Sequence, residues 1–339
     1  MAAKVDWVVG QQPAPAGAID PAALALSGLE IMQRYRDGAM AAPPIAHLVG
    51  LTVTRVAFGT VTAEMPLSPW LQWSRGQIPA AVLALLADTP LGAACQTVLP
   101  AGSITTTAQL SLTFHRAVTP LNGRMVAEGW VGDAIPGNAL RSHATIRDTA
   151  GELIAEGTSL TTARTLPEQI SSAAAHEASC GTPDPYMLPA QGEVLPRSLL
   201  ASLRGSDLIH GVARGVLPAP PLQRLLGARP VTAHEGASTW RMPASPWLCS
   251  VVPDELYGGA TAMLAGMAVL GTGETLAPRG AAAELQHLTV RLRSRATPCG
   301  DLVAHGAVVR RDGRLATVRA RVIDGRRAVV ATALAGLRV

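Results

Sequence analysis

The stretch IPAAVLALLADTPLG, residues 78–92, is almost wholly apolar and carries one acid, Asp88. An ionised carboxylate without a partner in an apolar interior costs several kcal/mol or more, so Asp88 needs either a partner or a task. Taken alone, it reads as a helix acid satisfied by a nearby backbone donor or an arginine. A second stretch, LYGGATAMLAG at 256–266, changes the question, because it aligns with residues 78–88 across an offset of 178.

That alignment is part of a repeat running along the chain. APPIAHLVG at 42–50 matches APPLQRLLG at 219–227, an offset of 177. EMPLSPWL at 64–71 matches RMPASPWL at 241–248 at the same spacing, and GRMVAEGWV at 123–131 answers GDLVAHGAV at 300–308. Self-similarity of this kind determines the architecture and is read before local structure. The chain divides into one unit over 20–165, a linker over 166–196 and a second unit over 197–339. The segment between the units is rich in Pro, Ser, Ala and Gly and has no sustained periodicity, which is linker composition. His176 and Cys180 fall within it.

Composition bounds the class. The 339 residues suffice for about two domains, each with its own core. With 48% hydrophobic and 15% charged residues the chain is globular and not disordered. Lys4 is the sole lysine and the net charge is only +4, so heavy arginine usage does not signal a nucleic-acid surface. The four cysteines lack metal-ligand spacing and read as free thiols in a reducing compartment. The N-terminal residues show no secretory pattern, and the apolar runs at 78–98 and 256–271 read as buried core helices between strands. The expectation is a cytoplasmic protein with no membrane and no nucleic-acid partner. No metal cluster or phosphate-binding glycine loop calls for a cofactor; GTGETLAPRG at 271–280 lacks the Gly-Lys-Ser/Thr ending.

Each unit shows the same coarse order. A short amphipathic helix (22–36, then 198–212) precedes a strand pair, the SPWL turn and one long apolar helix. Strands with period-two alternation follow. In TTAQLSLTFHRAVTP, Ala108, Leu110, Leu112 and Phe114 point one way, and Gln109, Ser111, Thr113 and His115 the other. In the second unit Leu288, Val290 and Leu292 face inward, leaving Arg291, Arg293 and Arg295 outside. The predicted class is α+β, with antiparallel strands around one apolar helix per unit.

This order, with the residues around the central helix, resembles the hotdog fold, and within it the PaaI-like thioesterases of the phenylacetic-acid-pathway type. Members carry Asn-Pro-x-Gly-x-x-His-Gly-Gly leading into the long helix, with an acid seven residues after the second Gly. They also carry a tail over the later strands, which VAEGWV, IRDTAGELIAEGTS, VAHGAV and VIDGRRAVVATA resemble. The resemblance implies two tandem hotdog units, each an antiparallel sheet wrapped around a long central helix. It also implies sites built across the interface, one unit giving the helix acid and the other the backbone N–H groups where its glycines open the helix. A helix N-terminus suits that task, because its unpaired N–H groups and positive dipole end can hold an oxyanion.

The departures from the family pattern narrow the site. The first unit reads Pro79-Ala80-Ala81 where the family has His-Gly-Gly, yet keeps the acid as Asp88. The second keeps the glycines as Tyr257-Gly258-Gly259, yet has Gly266 at the acid position. Each copy retains what the other lost, so one composite site is expected: Asp88 as general base or nucleophile, with Gly259 and Gly258 as oxyanion donors. Tyr257 is expected to donate to the substrate carbonyl or cap the pocket. Trp73 stands where the family has an orienting amide and is expected to wall the acyl pocket, and Cys95 to line it. Arg291, Arg293 and Arg295 are candidates for phosphate contacts at the rim.

The implied substrate is an acyl-CoA or other acyl thioester, and a homodimer of double-hotdog chains is compatible with the pattern. A hydratase of the same fold needs a His five residues after the Asp, where this chain has Ala93. A carrier-protein thioester-processing role (off-loading or cyclising) and a non-catalytic acyl-CoA binder remain as alternatives.

Overall fold

The computed structural model describes residues 25–119, 123–135, 139–165, 183–252 and 254–339, with positions 9, 12–15 and 23 before them. The chain begins with α1 (Gly28–Arg36) and α2 (Pro44–Val49), then the hairpin β1 (Thr52–Ala57) and β2 (Thr60–Pro66). The long helix α3 (Leu83–Thr97) precedes β3 (Ser103–Phe114), β4 (Arg124–Ile135), β5 (Ala139–Arg147) and β6 (Leu153–Thr165). The second part repeats this, with α4 (Arg197–Ser202), α5 (Gly205–Ala213), α6 (Pro221–Leu226), β7 (Arg229–His234) and β8 (Ala237–Pro243). It ends with α7 (Gly258–Glu274), β9 (Glu284–Leu292), β10 (Asp301–Asp312), β11 (Leu315–Ile323) and β12 (Val329–Arg338). The first helix of each part is shorter than its sequence pattern, and the second copy breaks into α4 and α5 around Leu203.

All twelve strands form one antiparallel sheet in the order β1-β2-β4-β5-β6-β3-β9-β12-β11-β10-β8-β7. The second six strands repeat the order of the first six, reversed. At the centre β3 pairs with β9, and Ser111 lies opposite Thr289. These two residues are repeat equivalents, 178 apart, so a pseudo-two-fold axis passes between them. Their hydroxyls hydrogen-bond at 3.1 Å.

The long helices are buried because the sheet curls over them. Ala and Leu favour α3 locally, but its stability comes from burial of nearly its whole circumference, including Leu83, Leu85, Leu86 and Leu91. Residues Ala80–Thr97 form a stretch long and apolar enough to cross a membrane, and 78% of it is buried inside the molecule. α3 and α7 pack against one another, and both belong to a single hydrophobic core.

Residues 183–196 of the expected linker are docked and not loose. His47 bonds Asp184 at 2.9 Å, Trp70 Nε1 donates to the Leu188 carbonyl at 2.8 Å, and Leu195 N–H donates to the Ser74 carbonyl at 2.9 Å. His176 and Cys180 lie outside the described residues.

α1 is clamped onto the C-terminal end of α3. Ser27 and Glu30 form a reciprocal capping box, and the Gly28 N–H donates to the Leu99 carbonyl at 3.0 Å. A Cβ on Gly28 would lie 1.8 Å from the Gln96 carbonyl oxygen. Its repeat equivalent Gly205 makes the same approach, 1.9 Å from the Glu274 carbonyl. Gly28→Ala is therefore expected to lift α1 and destabilise the protein by about 2 kcal/mol. Thermal unfolding will show this as a lowered Tm, and Gly38→Ala, which meets nothing within 4 Å but has φ +70, serves as a comparison for backbone strain alone.

Candidate active site

Asp88 lies in the second turn of α3 and is 6% exposed. Among the described residues no arginine is a partner of its carboxylate. Thr107 on β3 donates its hydroxyl to Asp88 Oδ1 at 2.9 Å, and the backbone N–H of Gly259 donates to the same carboxylate. The donors thus come from both copies, one from a strand of the first and one from the long helix of the second. α7 has no side-chain cap of its own at Tyr257, so Asp88 supplies part of what a capping residue would.

The approach needs glycine. A Cβ on Gly258 would lie 2.9 Å from Asp88 Oδ2, and one on Gly259 would lie 2.7 Å from the Ala84 carbonyl oxygen. Burial raises the Asp88 pKa to about 6, against the lowering effects of the Thr107 and Gly259 hydrogen bonds.

Asp88 opens onto a cavity of about 490 Å³. α1 contributes Ile31, Met32 and Tyr35, and the second half contributes Val251, Tyr257, Gly258, Arg293 and Arg295. The Tyr257 hydroxyl donates to the Leu85 carbonyl at 2.9 Å and bonds Thr89 Oγ1 at 2.8 Å. Its proton is therefore engaged, and Tyr257 closes the wall. At the mouth Glu255 pairs with both Arg164 and Arg295 at 2.7 Å. Among the described residues no cluster of three or more His, Cys, Asp or Glu side chains forms a metal site.

Several expected positions are corrected. Trp73 does not wall this cavity; it lines a second one of about 370 Å³ and packs against Trp240 at 5.1 Å. Each cavity takes its turn and helix start from one copy and the flanking long helix from the other, so Trp73 goes with Pro79, and Val251 with Gly258. Cys95 is fully buried and faces Ser142 and Thr161 on β5 and β6. The sheet coils past α3, so the face that meets α7 at Asp88 meets other strands two turns later. Arg291 points from the outer sheet face to Gln109 Oε1, 3.2 Å away. Arg293 and Arg295 reach the cavity because they lie beyond the end of β9. Gly259 is near Asp88 as expected, but its N–H is engaged by the carboxylate. Among the described residues the Gly258 N–H has no protein acceptor.

Thr107 was missed because simple alternation points it outward with Gln109. The β3–β6 register shifts between Thr107 and Gln109, a bulge at Ala108. One extra residue flips the parity of everything before it, so Thr107 turns inward.

The second cavity occupies the repeat-related position. There Gly266 stands in place of Asp88, and a Cβ on it would lie 2.7 Å from the Ala81 Cβ. Leu285 stands in place of Thr107. The polar pairs bordering it include Arg75 with Glu274, at 3.1 Å, and Arg338 with Glu284.

No protein-family model matches the sequence, and no curated protein matches it at a significant level. Solved structures do resemble it. A conserved protein of unknown function with hot dog fold from Alicyclobacillus acidocaldarius superposes with a TM-score of 0.54 at 12% identity, covering 88% of this chain and 98% of its own. The TesB protein of Mycobacterium avium subsp. paratuberculosis gives 0.52 at 16% identity, covering 87% and 97%. A provisionally assigned thioesterase from Novosphingobium aromaticivorans gives 0.52 at 15% identity, covering 85% and 98%. At these identities the likeness is one of fold: the chain shares the hotdog-type architecture, with its large antiparallel sheet and few helices.

The raised Asp88 pKa has a consequence for stability. The folded value, about 6, exceeds the 3.8 of an ordinary aspartate, so the native state favours the protonated acid. The stability this group allows is intact below about pH 4 and falls as pH rises to about 6. Asp88→Asn, which keeps an acceptor for Thr107, is expected to be more stable than wild type by up to about 3 kcal/mol at pH 8, at 1.36 kcal/mol per unit. Near pH 4 the gap shrinks. Thermal melts across pH 4–8 measure it.

Proposed function

We propose that this chain is a thioester hydrolase acting on an acyl-CoA at one composite site per chain, built between two tandem hotdog units. One observation carries the reading. A buried carboxylate from one copy faces the glycine-opened helix N-terminus of the other, at the end of a largely apolar cavity. The TesB and thioesterase neighbours in fold are consistent with it.

In this reading the acyl chain lies against Ile31, Met32 and the surrounding apolar wall, with the thioester carbonyl at the start of α7. Asp88 acts as general base, taking a proton from a water that attacks the carbonyl carbon. Its pKa near 6 suits a group that must be ionised at neutral pH yet still basic. Thr107 and the Gly259 N–H hold the carboxylate in place. The Gly258 N–H, without a protein acceptor, faces the developing oxyanion. This reassigns Gly259 from oxyanion donor to support of the base. The thiolate leaves without much acid assistance, because free thiols have a pKa of about 8.5. In this reading Arg293, and Arg295 from its pair with Glu255, meet the nucleotide phosphates. The second cavity is inert in this scheme: Gly266 stands at the acid position, Leu285 at the Thr107 position, and its buried acid, Glu274, is paired with Arg75.

Thiol release from a panel of acyl-CoAs, followed with a thiol-reactive dye, tests the assignment. Asp88→Asn is expected to lower kcat by at least about 100-fold, within the usual range for losing a general base. If wild type releases no more thiol than Asp88→Asn on any substrate, the hydrolase reading fails and the non-catalytic binder stands.

The pH profile provides a second check. Wild-type kcat/KM should rise through a limb near pH 6, where Asp88 ionises. Thr107→Val removes a hydrogen bond that favours the charged form, so the limb should move to higher pH.

A further inference from the structure

Within the Asp88 cavity several polar groups already have partners. The Tyr257 O–H donates to the Leu85 carbonyl, Thr89 bonds Tyr257, and Thr107 and the Gly259 N–H both serve Asp88. Tyr35 is different. It projects from the last turn of α1 into the same cavity, and among the described residues its hydroxyl has no hydrogen-bond partner. It lies close enough to Tyr257 for the two to interact electrostatically.

We propose that the Tyr35 hydroxyl is a second donor to the substrate's carbonyl oxygen, completing with the Gly258 N–H a two-donor oxyanion hole. This rests on the thioesterase reading and adds a substrate-contacting residue from a helix outside the Asp88–glycine pair.

Three observations support it. Burial pushes the Tyr35 phenol well above its ordinary pKa, so the group keeps its proton as a donor throughout the working range. α1 is fixed by its capping box and by the Gly28 contact with the end of α3, so the phenol is carried on a rigid support. The repeat also distinguishes the two copies: the equivalent of Tyr35, across an offset of 177, is Val212. Tyr35 lines the cavity that holds Asp88, whereas Val212 is buried in the hydrophobic core. The phenol is half-buried and its hydroxyl has no partner among the described residues, so it is free to donate to a substrate carbonyl.

Tyr35→Phe removes one oxygen and keeps the ring. It is expected to reduce kcat about 100-fold, the usual loss for one oxyanion donor, with KM within about threefold. A ketone isostere of the best acyl-CoA, with CH2 replacing the thioester sulfur, gives a readout independent of turnover. Its carbonyl stretching band should shift to lower frequency on binding wild type and shift back substantially in Tyr35→Phe. Wild-type kcat together with an unchanged carbonyl band in Tyr35→Phe would overturn the proposal. If that happens while Asp88→Asn is inactive, the hydrolase reading survives without Tyr35. If wild type and Asp88→Asn are equally inactive, the hydrolase reading fails, and the carbonyl band still decides whether Tyr35 contacts the ligand. A melting temperature for Tyr35→Phe within a few degrees of wild type confirms that the fold is intact.

Discussion

The pairing of β3 with β9, with Ser111 opposite its own repeat equivalent Thr289, is the constraint on which the rest of the molecule depends. Two copies of one unit can join edge to edge in many registers. Once equivalent residues face each other, the relation between the copies is an approximate two-fold, and every contact across the seam occurs twice. α3 then meets the start of α7 near Asp88, and α7 meets the residues leading into α3 near Gly266. A one-residue slip would turn each side chain of the central strands to the wrong face of the sheet. The two seam cavities would lose their alignment together.

A duplicated interface need not keep two equal sites, and the packing here shows how they diverge. On one side a carboxylate meets two glycines; on the other, alanine meets glycine. The space freed by Gly266 is taken by the Ala81 methyl, and Leu285 fills the place of an inward hydroxyl. Close-packed interiors tolerate exchanges that conserve volume. Placing the acid on one helix and withdrawing it from the other, with the facing residues changed in the opposite sense, keeps the seam filled on both sides. The apolar version avoids the desolvation that raises the Asp88 pKa.

Much of this was legible in the sequence because a repeat supplies an internal comparison. The offsets of 177 and 178 define corresponding positions, and the paired departures at Asp88/Gly266 and Ala80-Ala81/Gly258-Gly259 identify residues that the structure brings together. What was not legible depended on geometry that no local pattern encodes. Thr107 was hidden by a bulge at Ala108 that reverses the alternation. Trp73 was assigned to the wrong cavity because sequence proximity to Asp88 does not say which copy's turn faces which copy's helix. Cys95 shares a helix face with Asp88, but the curling sheet gives that face different neighbours at each turn. Arg291 followed period two to the outer face, whereas Arg293 and Arg295 escaped it beyond the end of the strand. Residues 183–196 looked like linker by composition, yet their backbone and side chains find partners on the body.

The role of α1 follows from the same logic of shared positions. In both copies a glycine allows a short helix to sit on the end of a long one, at Gly28 on Gln96 and at Gly205 on Glu274. That docking is structural, since it occurs on the long helix that carries Asp88 and equally on the one that has Gly266 in its place. What the helix presents inward is free to differ, and it does so at Tyr35 and Val212. Tyr35 brings a hydroxyl that no described neighbour engages to the Asp88 cavity, whereas its equivalent Val212 is taken up by the hydrophobic core. The buried carboxylate presents the same kind of case: it sacrifices stability in its ionised form, while Gly266 in the other copy avoids that cost. The buried carboxylate and the unpartnered phenol border one cavity, and a carbonyl and a water in the space between them would serve both.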